Sequence, residues 1–154
     1  MKRKTQVHAE DDKQEILITR EFDIPVELLF RAHVDPDIVE QWRGTKVLKL
    51  ESKPYGSYRF FTTDPKGNEH GFNGVIHGFV PNQKITRTFE MENTGFAVQL
   101  QFLEFEEITN DTSKLSLHMV FRSVADRDQV LQLPFAQGLN MAHNRLQEVV
   151  GELK

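Results

Sequence analysis

The hydrophobic period changes three times along the chain, and each change marks a boundary between elements. In Glu15–Asp23, Ile16, Ile18 and Arg20 alternate with Leu17, Thr19 and Glu21, so the stretch predicts a strand. The period then becomes helical. Pro25 suits a first helical turn, Leu28, Leu29 and Ala32 form a short apolar stripe, and Asp35-Pro36 stops that helix. Asp35 can cap a second short helix with Pro36 at its first position, placing Ile38 and Trp42 four apart on one face.

From Thr45 the period of two returns. Val47 alternates with Leu48 and Leu50, and Tyr58, Phe60 and Thr62 alternate with Arg59, Phe61 and Thr63. Asp64-Pro65-Lys66-Gly67 is a turn, because proline presets one dihedral and glycine accepts the unusual one. His70–Val80 reads as a strand interrupted by Gly71, Gly74 and Gly78, the pattern of a bulge or of close packing on the backbone. Ile85, Arg87, Phe89 and Met91 share the next strand face. Val98, Leu100 and Phe102 are assigned to the apolar face of the following strand, opposite Gln99, Gln101 and Leu103. Leu115, Leu117, Met119 and Phe121 form the face of the last. One apolar and one mixed parity in each strand predicts an antiparallel sheet covered on one side.

The final stretch, Asp126–Leu153, is the one segment long and periodic enough for a major helix. Phe135, Leu139, Ala142, Leu146, Val149 and Leu153 recur every three or four positions, with Asn140, Asn144, Gln147 and Glu148 opposite. Pro134 predicts a break and restart within it. The expected fold is α+β: a curled antiparallel sheet of about six or seven strands, two short helices at one end, and a long C-terminal helix across the hollow. Residues 1–13 are polar and are expected to form a flexible tail before a single domain at 14–154.

Composition sharpens this picture. The chain has 154 residues and a net charge of −4, giving no electrostatic reason to expect nucleic acid. Nothing resembles a membrane span or a signal peptide, so a soluble cytoplasmic protein is expected. The absence of cysteine removes disulfides and thiolate chemistry. Twelve Phe against two Tyr and one Trp point to a greasy core or a greasy cavity.

The order of elements resembles the helix-grip fold of the START-like, birch-pollen-allergen-like superfamily (SRPBCC). Within it, the chain is similar to the branch named after the C-terminal domain of the activator of heat-shock protein ninety ATPase. Carrying the resemblance are Pro25, Leu29-Phe30-Arg31-Ala32, Asp35-Pro36, Gln41-Trp42, Tyr55 through Phe60, Gly67, Gly74, Arg127-Asp128, Gly138 and Arg145-Leu146. It spans roughly residues 15–153. The chain departs from the pattern at Pro134-Phe135 and Leu139 in the terminal helix and at Arg43 after Trp42. All these departures fall at the expected cavity mouth.

The resemblance implies a ligand cavity between sheet and helix, and the apolar parities supply its lining. The candidate pocket residues are Trp42, Tyr58, Phe60, Phe72, Ile76, Arg87, Phe89, Leu100, Phe102, Leu117, Met119, Phe135, Leu139 and His143. A filled core would produce the same pattern. Arg87, in phase with apolar neighbours, either snorkels to water from a strand edge or faces inward, where it needs an acidic partner or an anionic ligand. His143 is read as a boundary residue and His77 as a further polar candidate. The six histidines show no metal-ligand spacing, so no metal or other cofactor is expected. Phe61, Phe79 and Phe105, on the less apolar parities, either form a surface patch or are turned inward by bulges.

Three functions remain in view. The first is the binding of a small apolar molecule without catalysis, with Trp42 and the helix at the mouth. The second is a co-chaperone-like module that stimulates a heat-shock ATPase. The third is a cyclase- or dehydratase-like enzyme using Arg87, Tyr58 or His143. A monomer or a homodimer fits each.

Overall fold

The computed structural model describes residues 3–154. One antiparallel sheet of eight strands carries the molecule. In chain order the strands are β1 (Gln6–His8), β2 (Glu15–Phe22), β3 (Lys46–Leu50), β4 (Ser57–Thr63), β5 (Glu69–Val80), β6 (Lys84–Met91), β7 (Gln99–Thr109) and β8 (Thr112–Val120). Their order across the sheet is β1-β2-β8-β7-β6-β5-β4-β3. From β3 to β8 each strand pairs with the next, and β2 closes against β8. Helices α1 (Val26–Val34) and α2 (Pro36–Arg43) join β2 to β3, and α3 (Val124–Leu131) and α4 (Phe135–Gly151) follow β8. Among the described residues, no helix is long and apolar enough to cross a membrane.

The local signals act as expected at the helix ends. Asp35 Oδ1 accepts the Asp37 N–H at 3.0 Å, and Pro36 opens α2. Gly44 closes α2 in the left-handed region, at φ 63°, where a side chain is strained. Pro134 separates α3 from α4, and the Ser123 hydroxyl caps α3 through the Asp126 N–H at 3.1 Å.

The sheet is wider than expected because the N-terminal stretch joins it. Gln6–His8 pairs with Leu17–Thr19, while Met1 and Lys2 lie outside the described residues. Arg3 bridges Glu21 and Asp23 at 2.8 and 3.0 Å. Thr5 reaches α4, its N–H donating to Asn140 Oδ1 at 2.9 Å. Alternation in this stretch is too short to register as a strand, and pairing with β2 is what fixes it.

In β7 the expected parity is reversed. Gln99, Gln101, Leu103 and Phe105 are buried, whereas Leu100 and Phe102 lie on the outer face, Phe102 beside His118. Register explains this. Gln101 sits opposite Arg87 and Met119, and directly paired residues share a face. Phe105 then lands under α1, its ring 5.0 Å from Phe30. Phe79 turns inward too, because a register shift between Ile76 and Gly78 rotates the end of β5; its ring lies 5.5 Å from Phe30. The three-phenylalanine surface patch therefore does not exist. Only Phe61 of the three remains on the outer face, under the Arg59 guanidinium. His77, at the bulge, is exposed.

The helices cover the sheet unevenly. In the second half of α4, Leu146 and Val150 are fully buried against α1, α2 and the closed end of the sheet. Leu153 lies beyond the helix and is exposed. In the first half, Phe135 and Leu139 are only partly buried, beside a smaller cluster of Ile16, Ile18, Met119, Phe121 and Val130. The two halves should respond differently to truncation. Leu146→Ala is expected to cost about 2–5 kcal/mol, as in a tightly packed core. Leu139→Ala is expected to cost less than about 1.5 kcal/mol, because one side of Leu139 faces open space. Urea unfolding of both variants checks the contrast.

Candidate functional site

The space under the first half of α4 is a cavity of about 380 Å³. Its apolar walls are Ile18, Phe72, Phe89, Met91, Leu117, Met119, Val130, Leu133, Phe135, Leu139 and Ala142. Its polar groups are Arg43, Thr45, Thr62, Arg87, Gln99 and Gln101, with Trp42 at the edge. Among the described residues, no carboxylate, histidine or tyrosine lines it. Pockets of this size and composition suit a small organic ligand, with a few polar groups setting its orientation.

Of the fourteen residues picked from the sequence, Trp42, Phe72, Arg87, Phe89, Leu117, Met119, Phe135 and Leu139 line this hollow. Tyr58, Phe60 and Ile76 face the same side of the sheet but lie in the packed core. Leu100 and Phe102 point away, for the register reason given above. His143 is buried rather than at the boundary, its ring 5.5 Å from Phe22 and its Nδ1 2.7 Å from Thr5 Oγ1. Alternation over a longer window, reaching the outward Glu104 and Glu106, carried the signal for Gln99 and Gln101. Arg43 carried one in following Trp42 at the end of α2.

The mouth lies between the end of α2 and the middle of α4. Trp42, Arg43, Gly138 and Ala142 line both the cavity and the groove outside it. Trp42 is held by its indole N–H, which donates to Ala32 O at 2.7 Å. Arg145 ties α4 to α2 by donating to Gln41 O at 2.6 Å. A Cβ added at Gly138 would meet nothing within 4 Å, so α4 is thin where the opening is.

Arg87 is 7 % exposed and does not snorkel to water. Its guanidinium lies 5.1 Å from the centre of the Tyr58 ring. Its Nε donates to Gln101 Oε1 at 3.0 Å, and Gln101 Nε2 donates in turn to Gln99 Oε1 at 3.0 Å. Tyr58 is fixed by its hydroxyl, which donates to Thr88 O at 2.6 Å. That path crosses β5 at Gly74, where any Cβ would stand 2.0 Å from Thr88 O. Burial raises the Tyr58 pKa, against the pull of Arg87 and Arg43. The Arg43 guanidinium sits over the Trp42 and Phe60 rings, at 5.5 and 5.4 Å. Burial and then the repulsion of Arg87 lower its pKa to about 10.

A family model described as Activator of Hsp90 ATPase homolog 1-like protein matches residues 23–151. The chain belongs to that family. Among solved structures, a protein from Mycobacterium smegmatis superposes with a TM-score of 0.86 at 22% identity, covering 95% of this chain and 96% of the other. One from Rhodobacter sphaeroides gives 0.85 at 19% identity over 97% and 99%. A solution structure from Arthrobacter aurescens gives 0.86 at 16% identity over 96% and 91%. At these identities the likeness is one of fold. A search of curated proteins found no match. The helix-grip architecture of the family thus holds the hollow described here.

Two buried histidines flank the site without lining it. His33 Nδ1 donates to Leu29 O at 2.9 Å, with its ring 5.3 Å from Trp42. Burial above all, with Arg87 and Arg43 also opposing, lowers its pKa to about 3. Burial likewise holds His143 at about 3, helped by His33, Arg20 and Arg43. Both are neutral when folded. As pH falls below about 6.5, the unfolded chain takes up protons that the native state refuses. Stability should therefore fall with decreasing pH between about 6.5 and 3, with both histidines contributing. Denaturant unfolding at stepped pH is expected to show this slope, and His143→Leu to reduce it by about half.

Proposed function

We propose that the chain binds a small, mainly apolar molecule in the hollow beneath the first half of α4, without catalysing its conversion. The observation that carries this reading is the cavity of about 380 Å³, walled mostly by aliphatic and aromatic side chains and open between Trp42 and Gly138. For scale, an engineered protein cavity of about 150 Å³ stays dry and takes up benzene. A hollow more than twice that size has room for a ligand of ten or so heavy atoms, by rough proportion. Affinity would come from burial of apolar surface, at about 25 cal/mol per Å² before ordering costs.

The enzymatic alternative has little geometric support. Acid–base catalysis needs a titratable group within hydrogen-bond reach of the substrate. Tyr58 and His143 do not line the hollow, and no carboxylate among the described residues does. The co-chaperone alternative is favoured by the description of the family alone, and it would act through the outer surface. Stimulation of a heat-shock ATPase at micromolar protein is its test; no change in turnover counts against it.

A neutral naphthylamine dye tests the leading reading directly. Its emission should rise and shift to the blue on mixing with the protein, and Trp42 emission should fall in parallel. Gly138→Phe, which places a ring at the mouth, should reduce both changes at least tenfold in apparent affinity while leaving the thermal midpoint within a few degrees. Dye binding that ignores Gly138→Phe would place the dye elsewhere and sink the proposal.

A further inference from the structure

The charge inside the hollow is unbalanced. Arg87 is buried at the centre of the sheet, and among the described residues no carboxylate lies within ion-pair distance of Arg87 or Arg43. Among the described residues, Arg87 has one side-chain hydrogen bond, from Nε to Gln101, and Arg43 has none. Among the described residues, no fully buried side-chain nitrogen or oxygen is left without a partner. The terminal nitrogens of Arg87 therefore open onto the cavity rather than into packed protein. Uncharged groups, Gln101, Gln99 and the Tyr58 ring, take up part of the field but cannot neutralise it. The protein as a whole is acidic, at −4, so this positive region is a local construction and not a reflection of net charge.

Two guanidinium groups held at one void, repelling each other, destabilise the empty protein. A buried cation is ordinarily kept only where it is paired. Their planar donor forks match a carboxylate or a phosphate, and hydrogen bonds between ionised partners are about twice as strong as neutral ones. The remaining walls are apolar. We infer that the hollow takes an anionic amphiphile, whose carboxylate or phosphate head docks between Arg87 and Arg43 while its apolar body lies against Met119, Val130, Phe135 and Leu139. Gln101 orients the Arg87 fork, and Thr45 and Thr62, bonded to each other at 3.0 Å, flank the head group. This inference rests on the ligand-binding reading above and adds the chemical class of the ligand.

Matched ligands of one chain length test it. Decanoate, decyl phosphate and decanol are titrated below their aggregation concentrations into the full chain by calorimetry, with Trp42 emission reporting occupancy. At least one of the two anions should bind at least tenfold more tightly than decanol, and the better of them identifies the head group. Arg87→Gln should remove that preference, so that neither anion binds more tightly than decanol to the variant. Arg43→Gln, at the more accessible mouth, should weaken anion binding by at least threefold and serves if Arg87→Gln does not fold. If decanol binds as tightly as both anions, the head-group inference falls and the cavity reading stands. The inference also falls if the anion preference survives in the folded variants. If none of the three binds, both readings fall.

Discussion

One helix must cover a sheet that is wider and more curved than itself, and it can touch bottom along only part of its length. Leu146 and Val150 make that contact, sinking without residual exposure into the cluster formed by Phe22, Leu29, Ile38 and Trp42. The helix is about 26 Å long at 1.5 Å per residue, so anchoring its second half leaves two turns reaching over the sheet. Pro134 prevents α3 and α4 from forming one rod, and α3 turns away to bury Val130 against Ile16 and Ile18. The hollow is what remains between an anchored half and a lifted half. Its existence depends on the anchoring contact more than on any residue that lines it.

The same arrangement explains the electrostatics. Because the cavity separates the first half of α4 from β6 and β7, no described side chain of α4 bonds to Arg87. The arginine is instead supported from below, by a ring from β4 and an amide from β7. That support is costly to assemble. It requires a glycine at position 74, a tyrosine hydroxyl bonded across a strand, and two glutamines on the inner face of a sheet. A core selected for stability alone would fill those positions with aliphatic residues, since a buried ion pair is commonly no better than a hydrophobic replacement, and a lone buried ion is worse. The polar row is thus set apart from the apolar packing that surrounds it.

Much of this was legible from the order of periods. The two short helices, the six hairpin-linked strands and the broken terminal helix follow from local signals: Asp35-Pro36, Asp64 to Gly67, and Pro134. Two kinds of information were not local. The Gln6–His8 strand is short and polar, and it exists through its pairing with β2. The facing of β7 was misread because Val98, Leu100 and Phe102 outweigh two glutamines in a short window. Cross-strand register, with Arg87 opposite Gln101, overrules that count. That register is what turns the polar half of the site inward. Arg87 itself was visible from its phase with Ile85 and Phe89, but its burial was not, since alternation cannot tell a central strand from an edge.

The misreading of β7 also carries a positive argument. Local preference and global register conflict there, and natural sequences tend to keep such conflicts where function requires them. Leu100 and Phe102 are half-buried on the outer face, while Gln99 and Gln101 occupy positions that Leu103 and Phe105 show to be core-facing. Moving the strand by one residue would bury the apolar pair and expose the amides, yet it would also turn Leu103 and Phe105 out to solvent. The larger contacts under α1 decide the register, and the glutamines are carried inward with it. Once inward, they are bonded in a chain that ends on Arg87 and are not left unsatisfied. Sequence economy would have removed them; their retention beside an unpaired guanidinium ties the strand's odd pattern to the chemistry of the hollow.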